Sequence, residues 1–190
     1  EATLVDTTYN NYNIDKIYLD AYHQETTPGG NLYPDANTAV DNRVAQGALI
    51  MNWTGHSGQG VLAHEQIVTI PSVKQWSNST KLFLFITASC EARRYDDPGY
   101  KSLGEYAFLN SGGGAIALFS TVRVVYASPN FQLNLNIYKS IFQPVNGSMP
   151  RLGDVYQYVK TQAGGNSVNS RNFTLLGDPA LMLAYPKDTV

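Results

Sequence analysis

The chain has 190 residues, of which 43% are apolar, and its formal net charge is −2 from 13 basic and 15 acidic side chains. That length suits one compact domain with a substantial core. No run or stripe of lysine and arginine indicates a nucleic-acid surface, and every apolar run falls far short of the ~20 residues that span a bilayer. The chain begins at Glu1 without methionine, and we expect it to be part of a longer protein.

Apolar stretches alternate with segments of helical periodicity, the pattern of an α/β domain with a mostly parallel central sheet flanked by helices. The predicted elements are, in chain order, strand Lys16–Ala21, helix Asp35–Gln46, strand Ala48–Trp53, helix Pro71–Ser79, strand Leu82–Ala88, helix Ser102–Asn110, strand Ala115–Ser120, and helices Asn130–Phe142 and Leu152–Thr161. Strand Leu82–Ala88 is continuous and apolar, as expected of a central parallel strand. The segment from Phe173 to Leu183 is predicted to form a turn followed by a short closing strand.

The single cysteine, Cys90, is either a buried small hydrophobe or a reactive thiol. It directly follows the predicted central strand, and His56 follows strand Ala48–Trp53 in a glycine-rich loop. Ligand sites of open α/β sheets gather at the carboxyl ends of strands, and neighbouring strands are about 5 Å apart. If these strands are neighbours, Cys90 is placed to act as a nucleophile and His56 as its acid/base partner. A structural thiol and a loop-capping histidine remain the alternatives.

A nearby imidazole helps a thiol to ionise and later protonates the departing amine. Backbone N–H groups at the strand ends stabilise the tetrahedral oxyanion, and the candidate donors are those of Cys90 and of Ser57 or Gly58. We predict no metal and no cofactor. Four residues could supply the donors of a zinc site: His56, His64, Cys90 and Asp96. Their spacing in the sequence matches no known zinc-ligand pattern.

Charged residues cluster just after the cysteine. Arg93, Arg94, Asp96 and Asp97 are expected to form a solvated loop, with contact to a substrate or an ion as the alternative. Glu105 stands at the start of a predicted helix, where a carboxylate more often stabilises the first turn than lines a crevice.

Six short motifs stand in the order and spacing of one family over nearly the whole chain: Thr54–Gly58, Thr87–Glu91, Ser102–Glu105, Gly112–Ala117, Thr121–Val125 and Leu175–Pro179. Each motif is weak by itself, but six in register are a strong signal. Together they resemble the gingipain-type cysteine peptidases of family C25. Within that family the likeness is greatest to the signal peptidases (sortases) that process proteins exported by type IX secretion.

The resemblance implies a caspase-like three-layer sandwich. It implies that residues 1–190 are one catalytic subdomain, the C-terminal half of a larger peptidase whose N-terminal subdomain is absent. It also carries the catalytic dyad onto Cys90 and His56, although Ser57 stands where gingipains have glycine. The pocket for the residue before the scissile bond is placed by resemblance among Thr54, Val122, Arg123 and Asn130.

The resemblance further implies a place at the outer membrane and cell surface. The substrate would be the C-terminal signal domain of secreted cargo, the partners other outer-membrane proteins of type IX secretion, and an amine of lipopolysaccharide an acceptor in place of water. No nucleic-acid partner is expected. Two alternatives stay open: a broad secreted endopeptidase of the gingipain type, and a non-catalytic caspase-like module that binds cargo or a partner in a surface secretion complex.

Overall fold

The computed structural model describes residues 2–163 and 167–186. The first half of the chain contains α1 (Ala2–Thr8), a 3-10 turn (Leu19–Ala21), β1 (Glu25–Thr27), β2 (Gly30–Leu32), α2 (Pro34–Gln46), β3 (Ile50–Thr54), β4 (Val61–Leu62), β5 (Val68–Thr69), α3 (Ile70–Gln75) and β6 (Phe83–Ala88). The second half contains α4 (Leu103–Leu109), β7 (Ala115–Thr121), α5 (Ala127–Ile141), α6 (Leu152–Gln162), α7 (Val168–Asn172) and β8 (Phe173–Leu176). None of the described helices combines the length and the apolar character needed to cross a bilayer.

The main sheet has the strand order β3-β6-β7-β8. Strands β3, β6 and β7 run parallel, and β8 closes the sheet antiparallel to β7. All six residues of β6 are buried, as the continuous apolar run predicts for a central strand. Two short antiparallel pairs, β1 with β2 and β4 with β5, lie outside this sheet.

Alternating side chains of β6 divide the core into two layers. Leu84 and Ile86 pack in one cluster with the apolar faces of α5 and α6, and Phe83 and Phe85 pack in a second cluster with those of α2, α3 and α4. Successive residues of a strand point to opposite faces, so one fully apolar strand serves both layers. The predicted α/β class, a three-layer sandwich around a mostly parallel sheet, is confirmed.

Two predicted strands differ from the structure. Segment Lys16–Ala21 is not a strand: Leu19–Ala21 forms a 3-10 turn, and half-buried Ile17 and Leu19 pack against the core without any ladder partner. Their alternation with exposed residues imitates the period of a strand. At the other end of the chain the order of turn and strand is reversed, because β8 precedes the Gly177 turn, whose φ of +134° favours glycine.

The helix ends follow local chemistry. Helix α4 begins with a capping box in which Glu105 accepts hydrogen bonds from the Ser102 backbone N–H at 2.8 Å and from its hydroxyl at 2.6 Å. The interpretation of Glu105 as a residue that stabilises the helix start is therefore confirmed. Helix α5 begins three residues before the predicted Asn130, since Pro129 is compatible with a first helical turn.

Candidate active site

The register of β3 against β6 decides where two loops begin. Thr54, the last residue of β3, pairs with Ala88, the last residue of β6. His56 and Cys90 therefore stand two residues beyond adjacent strand ends, and neighbouring strands are about 4.8 Å apart. The prediction that parallel neighbours bring both residues to one end of the sheet is confirmed.

The main chain of His56 is held by two hydrogen-bond donors. Trp53 Nε1 donates to the His56 carbonyl at 3.1 Å, and the Ala63 N–H donates to the same oxygen at 2.9 Å. Gly55 permits this arrangement, because a Cβ at that position would lie 3.0 Å from the Trp53 ring. The backbone is thus fixed while the histidine remains exposed.

Cys90 lies in a tight turn after β6. Its half-buried thiol donates to the Val125 carbonyl at 3.7 Å. On the preceding side, the carbonyl of buried Ser89 accepts a hydrogen bond from Thr121 Oγ1. On the following side, Glu91 has a φ of +50°, a left-handed conformation that a non-glycine residue rarely adopts. These contacts and the backbone conformation fix the turn from which the thiol extends.

The thiol and the imidazole are not hydrogen-bonded to each other among the described residues. The thiol is engaged with Val125, and the His56 ring lies against the His64 ring with centroids 5.7 Å apart and planes 39° apart. Catalytic hydrogen bonds are often long or absent until substrate binds. A reactive pair requires that the thiol leave the Val125 carbonyl.

Ser57 joins the two loops. Its hydroxyl donates to the Cys90 carbonyl and accepts a hydrogen bond from Ser89 Oγ at 2.8 Å. The single proton of each of the two hydroxyls is thereby used once. The loop of His56 is thereby tied to the turn of Cys90. Sequence reasoning considered only the backbone N–H of Ser57 and missed its side chain. The sequence signal for this side chain was the presence of serine at a position where gingipains have glycine.

The three predicted oxyanion donors differ in availability. The Gly58 N–H donates to the Val61 carbonyl at 2.9 Å, so the structure contradicts Gly58 as a free donor in this conformation. The geometric cause is the β-bridge between Ser57 and Leu62, which turns the Gly58 amide towards Val61 in the following segment. The N–H groups of Ser57 and Cys90 have no acceptor among the described residues, and their role stays a prediction.

The four predicted pocket residues are divided between polar contacts and the core. Thr54 Oγ1 accepts a hydrogen bond from Asn134 Nδ2 at 3.3 Å, and Arg123 Nε donates to Asp96 at 2.9 Å. Val122 and Asn130 are buried. Neither of two cavities in the described residues is lined by these four, so their assignment as a substrate pocket stays a prediction.

The first of these cavities lies next to the histidine loop. It has a volume of about 420 Å³ and is lined by Gly60, Val61, Ala63, His64, Gln66, Thr69 and Pro71. The second, of about 340 Å³, lies beside β8.

The charged loop after Cys90 is more ordered than predicted. Arg94 forms ion pairs with Glu91 at 3.5 Å and with Asp97 at 3.4 Å. Arg93, in contrast, is only 2% exposed, so its placement in a solvated loop is wrong. Its backbone N–H donates to the carbonyl of Thr121 in β7, and its side chain is buried because it packs under the Tyr95 ring and donates to Thr174 Oγ1 of β8.

Comparisons with known proteins agree with this architecture. The model of peptidase family C25 matches residues 1–184. A search of the curated proteins finds no match. Two solved structures of the gingipain RgpB are similar to this chain. One, the complex of the Porphyromonas gingivalis RgpB pro- and mature domains, has a TM-score of 0.67 and 15% identity; the other, the Arg-specific cysteine proteinase gingipain R, has 0.63 and 16%.

A third similar structure, described as a protease, has a TM-score of 0.64 and 19% identity. The matches cover 75–77% of this chain but only 36–37% of those proteins. The chain therefore spans little more than a third of the length of the solved structures it matches, and the likeness concerns the fold.

Proposed function

Because this chain belongs to peptidase family C25, we propose that it carries the catalytic dyad of a cysteine peptidase, with Cys90 as nucleophile and His56 as general acid and base. One observation supports this most: the pairing of Thr54 with Ala88 places both residues two positions beyond adjacent parallel strand ends. The only thiol of the chain and an exposed imidazole thus follow neighbouring strand ends.

The proposed reaction begins when the Cys90 thiol leaves the Val125 carbonyl and gives its proton to His56. The thiolate attacks the carbonyl carbon of the scissile peptide bond. The oxyanion that forms accepts hydrogen bonds from the N–H groups of Cys90 and Ser57. His56 then protonates the departing amine, and a thioester remains on the sulfur until water or another amine attacks it.

We further propose that this enzyme resembles PorU in function, removing the C-terminal signal domain of type IX secreted cargo at the cell surface. The six motifs in register support the family as a whole, and the greater likeness to the signal peptidases within it supports this choice over a general endopeptidase. In this role the thioester passes to water or to an amine of lipopolysaccharide. Both outcomes use the same dyad, because they differ only in which nucleophile reaches the acyl group.

A thiol-reactive acyl probe tests the dyad on this chain. We expect Cys90 to be labelled at neutral pH, Cys90→Ser to lose the label, and His56→Ala to slow labelling by about tenfold or more. His64→Ala is the matched control, since His64 contacts the His56 ring but lies in no strand-end position. Equal labelling rates in His56→Ala and the parent chain would contradict the proposal that His56 activates the Cys90 thiol.

Cleavage assays then separate the three functions. A cargo fragment that spans the junction with its C-terminal signal domain is compared with denatured casein. Cleavage of the junction alone supports the signal peptidase, and cleavage of both supports a general endopeptidase. Binding of the cargo fragment without labelling of Cys90 indicates a non-catalytic module.

A further inference from the structure

Arg93 is a buried cation without a counter-ion. Its side chain is 2% exposed, and no carboxylate of the described residues lies within ion-pair distance of it. The next residue, Arg94, has two carboxylates within 3.5 Å. The charge of Glu105 acts on Arg93, but this carboxylate already accepts two hydrogen bonds from Ser102.

The hydrogen bonds of the guanidinium are incomplete. Nη2 donates to Thr174 Oγ1, but Nε and Nη1 are buried without any partner among the described residues. The Tyr95 ring covers one face, with its centroid 4.4 Å from Cζ. Burial lowers the pKa of Arg93, and Tyr95 and Tyr156 partly oppose that change. Arginine nevertheless stays charged in proteins, so the cost of burying this cation remains.

The side chain of Arg93 lines a cavity of about 340 Å³. The other lining residues are aromatic, aliphatic or hydroxyl-bearing: Tyr95, Tyr156, Thr174, Leu175 and Leu176. Three of them belong to β8, the end strand of the sheet, and β7 lies between this strand and β6. The cavity is thus separated by one strand from the strand that leads to Cys90.

We propose that this cavity, named here the Arg93 cavity, binds a carboxylate group through the Arg93 guanidinium. A carboxylate matches the planar fork of arginine and compensates a single positive charge, whereas a phosphate would leave excess negative charge among apolar walls. The group comes either from a small free acid or from an acidic side chain of a peptide that lies along β8.

Tyr95 controls access to the Arg93 cavity. Nε and Nη1 are shielded from solvent, and Tyr95 covers the guanidinium while being 52% exposed itself. Because half of its surface faces solvent, the Tyr95 side chain turns outward without opening the core. The ligand then reaches the two free nitrogens.

The test uses three probes at matched ionic strength, with sodium chloride as the reference: sodium acetate, the blocked peptide Ac-Gly-Glu-Gly-NH2 and its neutral counterpart Ac-Gly-Gln-Gly-NH2. Binding is followed by the unfolding midpoint and by the side-chain N–H signal of Arg93 in NMR spectra. We expect a saturable change with a Kd of about 1 mM, typical of so small a ligand. A response to both acetate and the Glu peptide indicates that the cavity recognises the carboxylate group itself. A response to the Glu peptide alone indicates a peptide ligand.

Variants connect the binding to Arg93. We expect Arg93→Met to weaken it at least tenfold, Arg93→Lys to retain part of it, and Tyr95→Ala to retain or strengthen it. Arg43→Met is the matched control, because Arg43 is a partly exposed arginine of α2 that forms an ion pair with Asp15 away from the cavity, and it should leave the Kd unchanged. If Arg93→Met does not fold, the NMR signal of the parent chain still decides. No saturable shift with either carboxylate, or equal binding by Arg93→Met, would overturn the proposal.

Discussion

Two regions of one sheet differ in how their polar groups are satisfied. At the ends of β3 and β6, Ser57 bonds to the carbonyl of Cys90 and to the hydroxyl of Ser89, so the polar groups satisfy one another. Beside β8, Arg93 is buried with two nitrogens unpaired. The first arrangement fixes loops for a reaction, and the second leaves a charge that a ligand can complete. Sequence motifs identify the first site, whereas only the burial of a charged side chain identifies the second.

The largest expected effect concerns the strand-end site. Replacing His56 with alanine should lower kcat/KM by about 10²–10⁴-fold, the usual contribution of a general acid and base. His64→Ala should change it little, because His64 contacts the imidazole without standing at a strand end. Steady-state kinetics on a cleavable peptide measures both. Comparable losses in the two variants would place the essential histidine elsewhere.

The β8 side should be the more sensitive to loss of packing. Phe173 is fully buried and stacks on Phe119 with ring centroids 6.3 Å apart. Phe173→Ala should reduce the free energy of unfolding by about 3–5 kcal/mol in urea denaturation. Carboxylate binding should weaken as well, since β8 supplies half of the lining of the Arg93 cavity. A loss below about 1 kcal/mol would show that β8 is not anchored by this ring.

The connection made by Ser57 should have a moderate effect on catalysis. Ser57→Ala and Ser57→Gly both remove the hydroxyl, and we expect kcat to fall about tenfold with KM little changed, since small misplacements of reacting groups are costly. Exposed Ser79→Ala is the control. If Ser57→Gly retains full kcat, the hydroxyl does not position the dyad. If KM alone rises, Ser57 contributes to substrate binding instead.

The smallest effect concerns a second cation near β8. Lys160 Nζ lies 5.1 Å from the Tyr156 ring and donates to the Ser170 carbonyl. Burial lowers the pKa of Lys160 to about 8, against about 10.4 in an unfolded chain. Between these values the unfolded chain binds more protons, so stability should rise as pH increases from about 8 towards 10.

Urea unfolding between pH 7 and pH 9.5 measures this change. Lys160→Met should be more stable than the parent chain at pH 7, and the difference should shrink as pH rises. The interval stays below the range in which Tyr185, whose pKa is raised by burial, affects stability. A stability difference that is independent of pH would mean that Lys160 is not destabilised by its burial.

The sequence predicted the sheet and the strand-end residues well, because both depend on local patterns. The apolar run of β6 and the glycine-rich loop after β3 are visible in the order of residues, and a parallel register brings His56 and Cys90 to one end. The segment Lys16–Ala21 failed because alternating burial does not require a ladder partner. Alternating exposure predicts which side chains of a segment are buried, but it does not predict whether the backbone pairs with another strand.

The contacts of single polar atoms could not be predicted. The hydroxyl of Ser57, the engaged N–H of Gly58 and the burial of Arg93 depend on how distant segments meet. For Arg93, the sequence shows only a charged residue among other charged residues. Its burial depends on contacts with β7 and β8, which are distant in sequence and which no local pattern encodes.

The most direct test of the account is a crystal structure of the chain after reaction of Cys90 with a peptidyl chloromethyl ketone. We predict that the sulfur has left the Val125 carbonyl, that the His56 imidazole lies within about 3.5 Å of it, and that the ketone oxygen faces the N–H groups of Cys90 and Ser57. An unmodified thiol still bonded to Val125, or an imidazole turned away from a modified sulfur, would contradict it.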